Sequence, residues 1–117
     1  MTQQMYLEFP LKPEHVDSFT DLCNSQLGFA LTKKQPGFVS AEWMISTAED
    51  GSKCFHLWEK WESADDFATY METPERAAGS LFETQLAKWG AGETKVFWPS
   101  DQARGRVTWQ ICQVMTK

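Results

Sequence analysis

Apolar and polar positions alternate from Met5 to Phe9, and this period predicts an opening β-strand punctuated at its end by Pro10 and Pro13. The period then changes. Val16, Phe19, Leu22, Cys23, Leu27, Ala30 and Leu31 recur at helical spacing and predict one helix from Pro13 to about Lys34. Pro13 suits a first helical turn, and Glu14 and Asp17 suit the positive end of the helix dipole. Lys33 and Lys34 suit its negative end, and Gln35-Pro36-Gly37 stops it. Phe38 to Ser46 reads as a second strand, returned through an Asp50-Gly51 turn into a third, Cys54 to Trp61. Ser63 and Asp66 form a capping pair for a helix through Phe67, Tyr70 and Met71. Thr73-Pro74-Glu75 opens another helix, through Leu81, Phe82 and Leu86 to Trp89, closed by Gly90 and Gly92. Glu93 to Trp98 is the fourth strand.

Strand, helix, strand, strand, helix, strand is the ferredoxin-like split βαβ plan, with two helices on one face of a four-stranded antiparallel sheet. The third strand has no clean polar side. Phe55, Leu57, Glu59 and Trp61 fall on one face, and His56, Trp58 and Lys60 on the other. A strand with rings on both faces is covered on both. Helices cover one face, so the other calls for a second copy of the chain and predicts a homodimer. Residues 1–98 form one α+β domain on this reading, and 99–117 a linker and a C-terminal strand. In that strand Val107, Trp109 and Ile111 alternate with Thr108 and Gln110, which suits a place at the dimer interface.

Composition narrows the partners. A net charge of −5, with no basic patch interleaved with aromatics, argues against nucleic acid or an anionic membrane. No apolar run approaches the ~20 residues of a membrane span. The opening Met1-Thr2-Gln3-Gln4 lacks the pattern of a secretory leader, so the expected compartment is the cytoplasm. Cys23, Cys54 and Cys112 have no metal-like spacing and suit small buried positions in a reducing compartment. Six tryptophans and eight phenylalanines exceed what one small core consumes, which suggests an aromatic-lined pocket or interface.

Two motifs carry a resemblance. Gln35-Pro36-Gly37-Phe38-Val39-Ser40-Ala41-Glu42-Trp43 resembles the entry to the second strand of the antibiotic biosynthesis monooxygenase family. Phe55 to Ser63 is similar to that family's third strand, and Pro74 falls where the family has a Ser-Pro. The resemblance covers roughly residues 3 to 98. It implies a dimeric α+β barrel, in which two sheets close face to face, and a pocket between the sheet and helices of each subunit. Members include cofactor-free oxygenases of polycyclic phenols, haem-degrading enzymes, isomerases and proteins with no assigned reaction, so the fold alone does not choose a chemistry. Tyr70 and Glu75 stand where many members carry histidines. Leu57 replaces the asparagine that polyketide-oxidising members carry four residues before the tryptophan, here Trp61. Near the haem-ligand position this chain has Ser80, and Tyr6 stands near the first-strand asparagine, which disfavours haem degradation.

Each candidate residue has a functional and a packing reading. Trp61 walls an aromatic substrate or packs where strand meets helix. Tyr70 hydrogen-bonds a phenolate or quinone oxygen or sits at a helix–sheet contact with its hydroxyl at the rim. Glu59 is a proton acceptor if burial raises its pKa, or pairs with a basic neighbour. His56 titrates near neutrality as a base or is a satisfied interface histidine. Arg76 holds a substrate carboxylate, or faces water with Glu72 and Glu75. His15 is expected at the surface, and two histidines on separate elements make no metal signature.

The resulting expectation is a small cofactor-independent monooxygenase-like enzyme acting on an aromatic or apolar small molecule, with neither metal nor cofactor. Its catalytic candidates are Tyr70, Trp61, Glu59 and His56. Tyr6, Leu57, Phe67, Arg76 and Leu81 are its substrate-binding candidates. The alternative is a non-catalytic small-molecule binding protein or an isomerase on the same fold. An interaction module with an acidic, Trp-rich surface is a third reading.

Overall fold

The computed structural model describes residues 2–97. Four antiparallel strands, β1 (Gln3–Leu11), β2 (Phe38–Thr47), β3 (Lys53–Trp61) and β4 (Lys95–Phe97), form one sheet in the order β2-β3-β1-β4. That is the order expected of the split βαβ plan. The fifth strand expected over Val107 to Met115, and the domain boundary after residue 98, lie outside the described residues.

The β2–β3 hairpin turns at Gly51, whose φ of 87° is a conformation that side chains with a Cβ rarely adopt. Its ladder runs from Thr47 opposite Lys53 to Ser40 opposite Lys60, then slips by a residue between Phe38 and Ser40. The slip is a bulge, and it keeps Phe38 against Trp61, with ring centroids 5.5 Å apart. β3 is thereby bonded on both sides, to β1 and to β2.

The first helix is broken, contrary to the single helix expected from Pro13 to Lys34. A 3-10 turn (Pro13–His15) leads into α1 (Val16–Cys23), and a short α2 (Phe29–Thr32) follows an irregular turn. The turn closes locally: Ser25 Oγ donates to Leu22 O at 2.7 Å, and Gly28 N donates to Ser25 O at 3.0 Å. A Cβ on Gly28 would overlap the carbonyl oxygens of Cys23 and Leu22, so only glycine lets the chain turn this tightly. The apolar period continues through the break because both halves pack on the sheet.

α3 (Ala64–Met71) starts as expected, with Ser63 Oγ accepting from Asp66 N at 3.1 Å. The last helix starts later than expected. Thr73 to Gly79 forms turns, and α4 (Leu81–Trp89) is capped by Ser80, whose Oγ accepts from Glu83 N at 3.1 Å. Pro74 therefore opens a connection rather than a helix. The end of α4 is tied to β1 by Lys12 N donating to Trp89 O and Ala91 N donating to Pro10 O, both at 2.8 Å. His15 is half-buried and stacks on Trp89, contrary to the surface position expected for it.

The core lies between sheet and helices. Met5, Phe9 and Leu11 of β1 pack with Phe55, Leu57 and Trp61 of β3, against Phe19 and Cys23 of α1 and Tyr70 of α3. Removing these side chains from water is the main favourable term in folding, at roughly 1.5–3 kcal/mol for each large apolar residue.

Candidate functional site

Side chains alternate across a strand, so the odd-numbered residues of β1 and β3 share the face beneath the helices. Leu7 pairs with Leu57 and, on its other side, with Val96 of β4. Between this floor and the helices lies a cavity of about 310 Å³. Leu57, Glu59, Phe67, Tyr70 and Arg76 line it, as five of the sequence candidates. Trp61 lies beneath, fully buried. Tyr6, His56 and Leu81 are not in the lining: the first two lie on the opposite sheet face, and Leu81 is 64% exposed at the start of α4. The parity of β1 already sets Tyr6 against Leu7, so assigning both Tyr6 and Leu57 to one wall conflicts with strand geometry.

Polar side chains are few on an otherwise apolar wall: Glu59, Tyr70, Arg76, Cys23, Thr32 and Thr94. Glu59 is 3% exposed. Its Oε1 accepts a 2.9 Å hydrogen bond from Trp61 Nε1, and Oε2 has no hydrogen-bond partner among the described residues. Burial pushes its pKa up to about 7, against the opposing pull of the Trp61 hydrogen bond and the Arg76 charge. A carboxyl in that range accepts a proton from a ligand and returns it near neutral pH.

Tyr70, Thr32 and Arg76 form a directed chain. Arg76 Nε donates to Tyr70 Oη at 2.6 Å, so the tyrosine proton is free to point at Thr32 Oγ1, 2.7 Å away. Thr32 Oγ1 in turn donates to Gly28 O at 3.3 Å. Arg76 Nη2 donates to Leu27 O at 2.6 Å and Gly28 O at 3.1 Å, and the guanidinium carbon lies 3.9 Å from the Phe82 ring centroid. Arg76 is 4% exposed, which corrects its expected place on a solvated face. Burial raises the Tyr70 pKa, and its bonds to Thr32 and Arg76 offset part of the rise. Burial likewise pushes the Cys23 thiol up to about 12, with the Arg76 charge opposing.

On the outer face Tyr6 Oη donates to Glu8 Oε2 at 3.0 Å and meets His56 Nδ1 at 2.7 Å. With the single tyrosine proton on Glu8, Tyr6 Oη accepts from His56 Nδ1, and His56 Nε2 meets Ser46 Oγ 2.8 Å away. Trp58 and Phe97 pack on Tyr6, with centroids 5.3 and 5.8 Å away. Trp58 Nε1 is buried with no hydrogen-bond partner among the described residues.

Sequence reasoning missed Thr32, Cys23 and Gly28 as cavity residues. Thr32 and Cys23 sat inside a run read as one helix, and Gly28 read only as an interruption of it. The signal available was Gly28 itself, a glycine within an apolar helical period.

Fold and site define a ferredoxin-like α+β domain built around an apolar cavity with one carboxyl facing into it. The model of the family described as antibiotic biosynthesis monooxygenase matches residues 4–80, and the chain belongs to that family. Among solved structures it is similar to a putative antibiotic biosynthesis monooxygenase from Caulobacter crescentus CB15, with a TM-score of 0.68 and 15% identity over 83% of this chain and 86% of that one. A putative antibiotic biosynthesis monooxygenase from Nitrosomonas europaea gives a TM-score of 0.64 at 18% identity, over 83% of this chain and 86% of that one. SnoaB, a cofactor-independent oxygenase from Streptomyces nogalater, gives 0.57 at 20% identity, over 82% of this chain and 90% of that one. Identities this low establish the shared fold. No curated protein matches the sequence. No helix among the described residues is long and apolar enough to cross a membrane.

Proposed function

We propose that the protein is a cofactor-independent monooxygenase of an aromatic or apolar small molecule bound between sheet and helices. The observation that carries this reading is Glu59, a carboxyl with a pKa near 7 facing an apolar cavity. Its Oε2 removes a proton from an acidic C–H or O–H of the substrate, and Trp61 holds the carboxylate in place through Oε1. The resulting carbanion or phenolate gives one electron to dioxygen, and the radical pair combines at carbon to a peroxide anion. That anion takes a proton, and loss of water leaves the new carbonyl: one dioxygen is consumed, one oxygen atom enters the substrate and the other leaves as water. The apolar walls exclude bulk water and strengthen the electrostatics of the proton transfer. Tyr70 orients the substrate through its ring, since its hydroxyl is engaged by Arg76 and Thr32.

The working form is a homodimer closed through the outer sheet face. The packed Tyr6, Trp58 and Phe97 rings, the orphaned Trp58 Nε1 and the 48% exposed Met44 support it. His56 belongs to this interface, and the cytoplasm is its compartment.

Oxygen uptake with a panel of hydroxylated polycyclic aromatics tests the reaction. Uptake that falls by about a hundredfold or more in Glu59→Gln is the expected result. Substrate consumed without oxygen uptake assigns Glu59 to a proton-transfer isomerisation instead. No turnover with any compound that binds overturns the enzymatic reading.

A further inference from the structure

Arg76 is a buried cation without a carboxylate partner. Among the described residues no acidic side chain lies within ion-pair distance of its guanidinium, and its contacts are neutral: Tyr70 Oη, the Leu27 and Gly28 carbonyls, and the Phe82 ring. Neutral dipoles offset the loss of water around a buried charge, and the one lining carboxyl that feels this charge, Glu59, forms no ion pair with it. A guanidinium does not escape by losing its proton. Nε and Nη2 are fully engaged, whereas Nη1 makes only a 3.5 Å contact with Glu75 O. Donor capacity therefore remains on a fixed positive charge in the cavity wall.

We propose that Arg76 is the counter-charge for the ligand of this cavity, and that the ligand is held as an apolar monoanion, a ring system of about naphthalene size with one ionised oxygen group. This rests on the cavity being the ligand site, as argued above, and adds the charge state of what it holds.

The other groups facing the cavity complete the charge count. Cys23 of α1 and Tyr70 of α3 stay neutral at neutral pH because burial raises both. Glu59 of β3 is the one lining carboxyl that titrates there. With Glu59 ionised the lining has no net charge, and with Glu59 protonated it carries the single positive charge of Arg76. An anion therefore binds best to the Glu59-protonated form, and its binding takes up a proton. That combination, a protonated Glu59 with an anion beside Arg76, is also the state that follows proton transfer from a neutral substrate to Glu59. The site is matched to the deprotonated substrate rather than to the neutral one, which is the differential binding that a proton abstraction requires.

Calorimetric titration of the full chain with 2-naphthoate and its neutral isostere 2-naphthamide tests the proposal. The acid stays ionised throughout the range used. The expected result is naphthoate binding roughly tenfold tighter at about pH 6 than at about pH 8, with proton uptake at the higher pH and no such dependence for the amide. Glu59→Gln removes the pH dependence and keeps the tight binding. Arg76→Met loses the preference for acid over amide, and Arg76→Lys, which keeps the charge, restores part of it. Because Arg76 also anchors the Leu27 and Gly28 carbonyls, the comparison of acid with amide on the unaltered protein stands independently of either variant. Equal affinity for the two probes overturns the proposal and leaves the cavity as a ligand site. A preference that survives in Arg76→Met overturns the role of Arg76. Binding of neither probe overturns the proposal together with the ligand-site reading on which it rests.

Discussion

Trp61 Nε1 donates a 2.9 Å hydrogen bond to Glu59 Oε1, two residues back on the same face of the same strand. The pair puts an indole donor under a carboxyl that would otherwise be buried with neither oxygen matched among the described residues. The hydrogen bond favours the charged form and burial disfavours it, and burial prevails.

Removing the donor in Trp61→Phe is expected to move the Glu59 pKa further up from about 7, because a hydrogen bond favouring the carboxylate is lost. Phenylalanine preserves the contact with Phe38 and Phe67 in part, so the stability loss is about 1–3 kcal/mol. Carbon-13 NMR titration of the Glu59 carboxyl measures the shift, and an unchanged or lowered pKa contradicts the argument.

Stability should depend on pH through the same residue. The folded pKa of about 7 lies above the ordinary value of 4.5, so the folded state binds the proton more tightly than the unfolded chain. The contribution is fully present below about pH 4.5, is lost as pH rises towards 7, and changes no further above it. The whole span is about 3 kcal/mol by linkage. Glu59→Gln should be more stable than the native chain at alkaline pH, with the difference shrinking as pH falls. Thermal melts of both proteins across this range give the result.

Tyr70→Phe should cost about 1–3 kcal/mol, because it strips partners from both Thr32 Oγ1 and Arg76 Nε in a buried site. Thr32→Val removes one of the groups left unmatched. A double-mutant cycle in urea should therefore show the two changes to be less than additive. Full additivity would mean that the Thr32–Tyr70 bond contributes nothing.

Gly28→Ala should destabilise the fold by more than about 2 kcal/mol, since the added methyl meets the Cys23 and Leu22 carbonyl oxygens. The displaced turn also carries the Leu27 and Gly28 carbonyls away from Arg76. Denaturant midpoints measure the loss, and hydrogen exchange of the α2 amides locates it.

Met44→Glu should leave the fold of a single chain intact, because Met44 is 48% exposed, and should put a charge on the proposed dimer face. Sedimentation velocity is expected to show a dimer for the native chain and a monomer for the variant. A native monomer at high concentration removes the dimer from the functional reading.

The strand parity, the hairpin and the Ser63 cap were legible in the chain because each depends on neighbours in sequence. Alternation along Phe55 to Trp61 sets Leu57, Glu59 and Trp61 on one face whatever else the protein does, and an Asp-Gly turn closes a hairpin by its own backbone preference. The family motifs lie in these same segments, so fold and family were readable together. The helical period from Pro13 to Lys34 misled because it reports which residues face the sheet, and a broken helix can keep that facing.

The state of the site was decided by contacts between distant segments. Arg76 reads from sequence either as the holder of a substrate carboxylate or as a water-facing residue beside Glu72 and Glu75, and it is buried because its guanidinium meets carbonyls 48 and 49 residues earlier in the chain. Glu59 reads as a carboxylate of either kind, paired or buried, until the helices close over β3 and remove its water. The sequence determined which side chains share each face of the sheet, since that follows from local backbone geometry. Only the tertiary structure decided which of them lost solvent, because desolvation depends on what the rest of the chain brings over them.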